Sequence, residues 1–149
     1  EFDFFCSGTG ADILRLKQKQ NKLKNLNLFP LISDKNYSKV LSTADFCLAT
    51  LDVKTKNEFA VPSKVYSYIA ALKPIIFIGP KNNSQFKIIN KYNLGLAIKS
   101  KNIKLIKKIF IKFYKKKQNL IKINNNLKKY KKKNFDIKKI SKKFTHILK

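Results

Sequence analysis

The sequence predicts an α/β fold: a parallel β-sheet with helices on both faces, followed by helices alone. Three observations predict it. Short apolar runs rich in Phe, Ile and Leu alternate with segments whose apolar residues recur at helical spacing. Those runs are apolar on consecutive rather than alternate positions, the pattern of strands covered on both sides. After Ser100 the strand-like runs stop and only the helical period continues. The chain has 149 residues, 44% of them hydrophobic, which is enough for one domain with a real core and too little for two.

The elements follow in order. Residues 2–6 are a strand that runs into Ser7, Gly8, Thr9 and Gly10. Ile13, Leu14, Leu16 and Leu23 give a moderately amphipathic helix over 11–24. Residues 26–30 are a second strand, stopped by Pro30. Ser33, Asp34, Lys35 and Asn36 form a turn or cap before a short helix with Tyr37, Val40 and Leu41 on one face. Residues 45–51 are a third strand, and 52–60 a polar loop. A helix over 62–71 starts at Pro62, whose missing N–H costs nothing in a first turn. The strand over 74–78 ends at Gly79 and Pro80; Ser84 is the expected cap of a helix reaching Asn90; residues 94–98 are the last strand. In the tail, Ile103, Ile106, Phe110 and Phe113 make one helical face. Leu120, Ile121, Leu127 and Tyr130 make a second, and Phe135, Ile137, Ile140, Phe144 and Ile147 a third. In parallel sheets ligands bind beyond the carboxyl ends of the strands. Gly8 to Gly10, the 52–60 loop and Gly79 with Pro80 all fall at that edge.

The formal net charge is +26, yet Arg15 is the only arginine. Abundant Lys, Asn and Ile read as the coding bias of an AT-rich genome. Arginine is the residue best suited to bidentate phosphate and base contacts, so its near absence argues against tuned nucleic-acid recognition. The lysine runs at 115–117 and 131–133 are solvated helix faces or a surface for anionic lipid headgroups. Cys6 and Cys47 lie beside apolar residues in strands and are expected as buried, reduced thiols. No His, Cys, Asp and Glu cluster suggests a metal, and the single histidine, His146, sits in the lysine-rich tail. No apolar run is long enough to span a bilayer and no signal-peptide pattern opens the chain, so a cytoplasmic setting is expected.

The clearest chemical signal is the stretch 61–76. Ser63 and Lys64 follow Pro62, where free backbone N–H groups and the positive end of a helix dipole converge with a hydroxyl and a cation. That combination suits a phosphate; the alternative is a plain N-cap at Ser63. Gly8 and Gly10 form a G-x-G turn that either tightens the chain or lets backbone N–H groups meet a phosphate or sugar; Ile13 stands where a dinucleotide fingerprint needs its third glycine. Glu58 is a solvated loop acid or a partner for ligand hydroxyls.

The order of these pieces resembles the C-terminal, donor-binding half of the family-four glycosyltransferases of the GT-B type. The resemblance runs from Phe4 to Ile98. It comprises the strand ending Ser7-Gly8-Thr9-Gly10, Asn25-Leu26-Asn27-Leu28-Phe29-Pro30, Ser42-Thr43-Ala44-Asp45-Phe46-Cys47-Leu48, and the whole 61–76 stretch. Asn134-Phe135-Asp136-Ile137-Lys138-Lys139-Ile140 followed by Phe144 is similar to that family's C-terminal helix. The Pro-Ser-Lys form resembles enzymes of bacterial envelope polysaccharide assembly.

The resemblance implies a Rossmann-like core over 1–100 with lysine-rich helices over 101–149 packed on the same domain. It implies a nucleotide-sugar donor, expected to be UDP-linked, with retention of anomeric configuration and no separate cofactor. Pro62, Ser63 and Lys64 would hold the diphosphate, with Gly8 and Gly10 nearby. Phe29 and Pro30 would border the base. Ser67 stands where many relatives carry a ribose-binding glutamate, Glu58 approximates the earlier acid of their paired-glutamate motif, and Leu72 stands where they usually have glycine. Relatives have a further strand, glycine loop and helix before Phe2, and an N-terminal acceptor domain. The chain is therefore expected to be a fragment, one subunit of a split enzyme, or an inactive copy. The rival reading is a basic, non-enzymatic protein on an anionic membrane or nucleic acid.

Overall fold

A computed structural model describes residues 2–8, 11–20, 22–53 and 60–136. The fold is α/β with parallel strand pairing, and helices alone follow the last strand. It divides into two compact units, residues 1–40 and 41–149.

The first unit holds β1 (Phe4–Ser7), α1 (Ala11–Gln20) and β2 (Leu26–Phe29). β1 pairs with β2 in parallel, Phe4 opposite Leu26 and Ser7 opposite Phe29. Side-chain hydrogen bonds close this small unit at both ends. Asn25 Nδ2 donates to the Phe2 carbonyl at 2.8 Å, at the start of β1. At the far end the Ser7 hydroxyl donates to the Pro30 carbonyl at 2.6 Å and accepts from Ile32 N–H at 3.2 Å. α1 ends at Gln20, short of the expected Lys24, because the chain must turn at Lys22 and Leu23 to enter β2.

The chain enters the second unit within α2 (Asp34–Thr43). There β3 (Cys47–Thr50), α3 (Lys64–Ala70), β4 (Ile75–Ile78), α4 (Ser84–Tyr92) and β5 (Gly95–Ile98) make two successive βαβ turns, followed by α5 (Ile103–Tyr114) and α6 (Lys117–Asn134). The sheet order is β3-β4-β5, all parallel, with Cys47 opposite Ile75 and Ile75 opposite Gly95. Among the described residues the strands pair as a two-stranded sheet in the first unit and a three-stranded sheet in the second. α3 packs on β3 and β4, α4 on β4 and β5, and α5 on β5. The core lies around the central strand: Ile75 and Phe77 are fully buried, with Val65 from α3, Ile89 from α4, and Ile123 and Leu127 from α6. Phe46, just before β3, meets the rings of Phe110 and Phe113 of α5 edge-on, at 5.6 and 6.2 Å.

Backbone demands explain several single residues. A Cβ on Gly95 would lie 1.9 Å from the Ile75 carbonyl oxygen, so only glycine lets β5 approach β4. α3 ends in a Schellman motif: Lys73 N–H bonds Tyr68 O at 2.9 Å, Leu72 N–H bonds Ile69 O at 3.0 Å, and Leu72 takes the left-handed conformation at φ 56°. α4 ends the same way, with Asn93 left-handed at φ 49°. Two lysines reach the exposed carbonyls of helix ends: Lys73 Nζ donates to Ser42 O at 2.6 Å, and Lys131 Nζ to Ala70 O at 2.7 Å.

Candidate functional site

The expected site residues fall into two sets, one in each unit. In the first unit Gly8 follows β1, and among the described residues nothing lies within 4 Å of a Cβ built on it. Phe29 and Pro30 are both exposed at the end of β2, and the Ser7 hydroxyl ties that end to β1. Gly10 lies outside the described residues.

In the second unit the set is built on the first turn of α3, beyond the carboxyl ends of β3 and β4. Ser63 occupies the N-cap position, but its backbone is already helical (φ −54°, ψ −31°) and its side chain makes no capping bond. The plain N-cap alternative is thereby corrected: an N-cap hydroxyl reaches the N–H groups of the next turn only from an extended backbone. Those N–H groups close tight turns instead, Val65 N–H on Pro62 O and Tyr66 N–H on Ser63 O, each at 3.0 Å. The N–H groups of Ser63 and Lys64 make no hydrogen bond among the described residues. Both side chains are exposed, and Ser67, half-buried, lies one turn along on the same side of the helix. The result is two unoccupied donors, two hydroxyls and an ammonium on one solvent-facing turn. Ala60 and Val61 lead into Pro62, and Glu58 lies outside the described residues.

A polar network that the sequence reading missed fixes this corner. Asn83, fully buried, caps α4: its Oδ1 accepts Gln85 N–H at 2.9 Å. Its Nδ2 donates to the Ala60 carbonyl at 2.7 Å and so pins the backbone two residues before Pro62. The expected cap, Ser84, is instead the first helical residue. Gln85 is also buried; its Nε2 donates to the Tyr66 hydroxyl at 3.3 Å on α3, and its buried Oε1 has no partner among the described residues. Phe135, just past α6, packs against the Tyr66 ring at 6.3 Å. The signal available was an asparagine shortly after Gly79 and Pro80 and two residues before a buried glutamine. An asparagine accepts more readily than serine across a wide gap because its oxygen sits one bond further out.

Among the described residues no three His, Cys, Asp or Glu side chains group as metal ligands. Cys47 is buried in β3, and burial pushes its thiol up to about 11. Cys6, in β1, is half-buried. No helix of the described residues is long and apolar enough to cross a membrane. His146 lies outside the described residues. Comparison with protein-family models, with curated proteins and with solved structures finds no match to this chain.

Proposed function

We propose that this chain binds a nucleotide-sugar as the donor-binding part of a retaining glycosyltransferase of cell-envelope polysaccharide synthesis, in the cytoplasm. The observation that carries the reading is the first turn of α3. Two N–H groups that meet no acceptor among the described residues share one solvent-facing turn with Ser63, Lys64 and Ser67 at the carboxyl edge of a parallel sheet. Oriented N–H donors, a lysine and hydroxyls together match the oxygens of a diphosphate, which needs several donors and charge neutralisation at once. Asn83 supports the same reading by holding Ala60, which sets where Pro62 and Ser63 begin. Sugar transfer on the two-domain plan also requires an acceptor-binding domain or partner subunit, so binding is the activity proposed for these residues alone.

Calorimetric titration with UDP and GDP is the test. UDP is expected to bind, and Lys64→Ala to weaken it about tenfold, the worth of one charge-assisted contact to phosphate. Absence of heat and of a thermal shift at millimolar nucleotide would overturn the reading. Equal affinity in the variant would place the phosphate elsewhere.

A further inference from the structure

The two sides of α6 differ sharply in character. Ile123 and Leu127 are fully buried, with Asn126 and Tyr130 half-buried beside them. Lys131 is spent on that side, its Nζ bonded to the Ala70 carbonyl. At 100° per residue, Lys122, Lys128, Lys129, Lys132 and Lys133 fall on the opposite side, and all five are exposed. Ile121, 68% exposed, shares that side and precedes all five along the helix. The sequence reading placed Ile121 on the packed face with Leu120 and Leu127. It faces outward because the buried positions are Ile123 and Leu127, four apart, and Ile121 lies about 160° from Ile123 around the helix. α6 contains no acid, and none of the five lysines makes an ion pair or hydrogen bond among the described residues.

This arrangement costs the free helix something. Lys128 with Lys132, and Lys129 with Lys133, are like charges four residues apart, a mutually repelling spacing. They sit about 6 Å from one another, inside the screening length of roughly 8 Å at physiological salt, so their fields add. A dense anionic plane relieves that repulsion along the whole helix.

We propose that the outward face of α6 docks on an anionic lipid bilayer, its lysines at the headgroups and Ile121 in the interfacial layer. A helix that carries lysines and an exposed aliphatic residue on one side suits the boundary between headgroup and acyl chain. Nucleic acid fits less well, because the face offers no arginine fork and no exposed aromatic ring on which a base can stack. The surface shares no residue with the nucleotide site on α3.

The test is flotation of the full chain with vesicles of phosphatidylcholine, with and without phosphatidylglycerol, at near-physiological salt. Binding is expected only with phosphatidylglycerol. Replacing Lys128, Lys129, Lys132 and Lys133 with Gln is expected to weaken it by roughly 10²-fold or more, the sum of several headgroup contacts. Ile121→Ser is expected to weaken it by about tenfold. A charge-matched control replaces Lys104, Lys107, Lys108 and Lys112 of α5, all exposed, and keeps most of the affinity. All these positions are at the surface, and circular dichroism confirms that each variant is folded. Equal loss in the α5 control would overturn the proposal in favour of overall charge. So would failure to float with phosphatidylglycerol, or tighter retention on duplex DNA than on vesicles.

Discussion

The two parallel sheets are made of similar residues and have very different interiors. β1 carries Phe4 and Phe5 at 49% and 66% exposure, whereas Ile75 and Phe77 of β4 are fully buried. Both strands are four residues long, and both are apolar. The difference is in what covers them. β4 is central, flanked by β3 and β5 and packed by α3 and α4. Among the described residues β1 has one strand neighbour, and its exposed Phe5 stacks at 5.9 Å on the Phe29 ring, which is also exposed. Apolar character makes a strand; a second neighbour and a helix layer make a core.

The largest effect that would break this comparison is on stability. Phe77→Ala leaves a cavity in a site walled by Phe86 and the sheet, and is expected to cost about 4 kcal/mol in denaturant unfolding. Phe5→Ala removes a largely solvated ring and is expected to cost under about 1 kcal/mol. Equal costs would mean that the two sheets are equally deep.

The next concerns the two thiols, one in each sheet. The Cys47 thiol is pushed by burial from its ordinary 9.0 to about 11, so the folded state favours the neutral form. The sign follows: that contribution is complete below pH 9 and is lost as pH rises through about 11. At pH 8 a disulfide reagent is expected to modify Cys6 at least tenfold faster than Cys47, since the thiolate is the nucleophile. Raising the pH toward 11 should narrow the gap. Faster reaction at Cys47 would contradict its depth in β3.

The smallest effect sharpens the comparison at two helix ends within the second unit. Leu72 and Asn93 hold the same left-handed position after α3 and α4, but a branched aliphatic residue is strained there and asparagine is tolerated. Leu72→Gly is expected to raise stability by about 0.5 kcal/mol, strain relief less the entropy of glycine, and Asn93→Gly to change it by a few tenths. Melting temperatures decide; a destabilised Leu72→Gly protein would mean that the Leu72 side chain contributes packing worth more than the strain it bears.

Much of the architecture was legible because it rests on local periodicity. All five strands and the helices between them stand where apolar runs and helical spacing put them, with ends shifted by a few residues. The turn of Pro62, Ser63 and Lys64 was legible as a helix start because proline and dipole rules act within one turn. The roles inside it were not. Ser63 fails to cap because its own backbone is helical, and Asn83 governs the corner from the far side of β4. The positive φ at Leu72 is displayed only by the backbone.

By itself the sequence determined the order of elements, the parallel class and the lysine-rich, acid-poor character of α6, since each follows from residue type and spacing along the chain. The tertiary structure decided how the strands group into two sheets, which apolar residues are covered, that Ile121 and five lysines face out, and that Asn83 holds Ala60. Those outcomes depend on neighbours distant in sequence: an apolar side chain is stabilised only when another element removes it from water, and a buried amide only when a partner meets it.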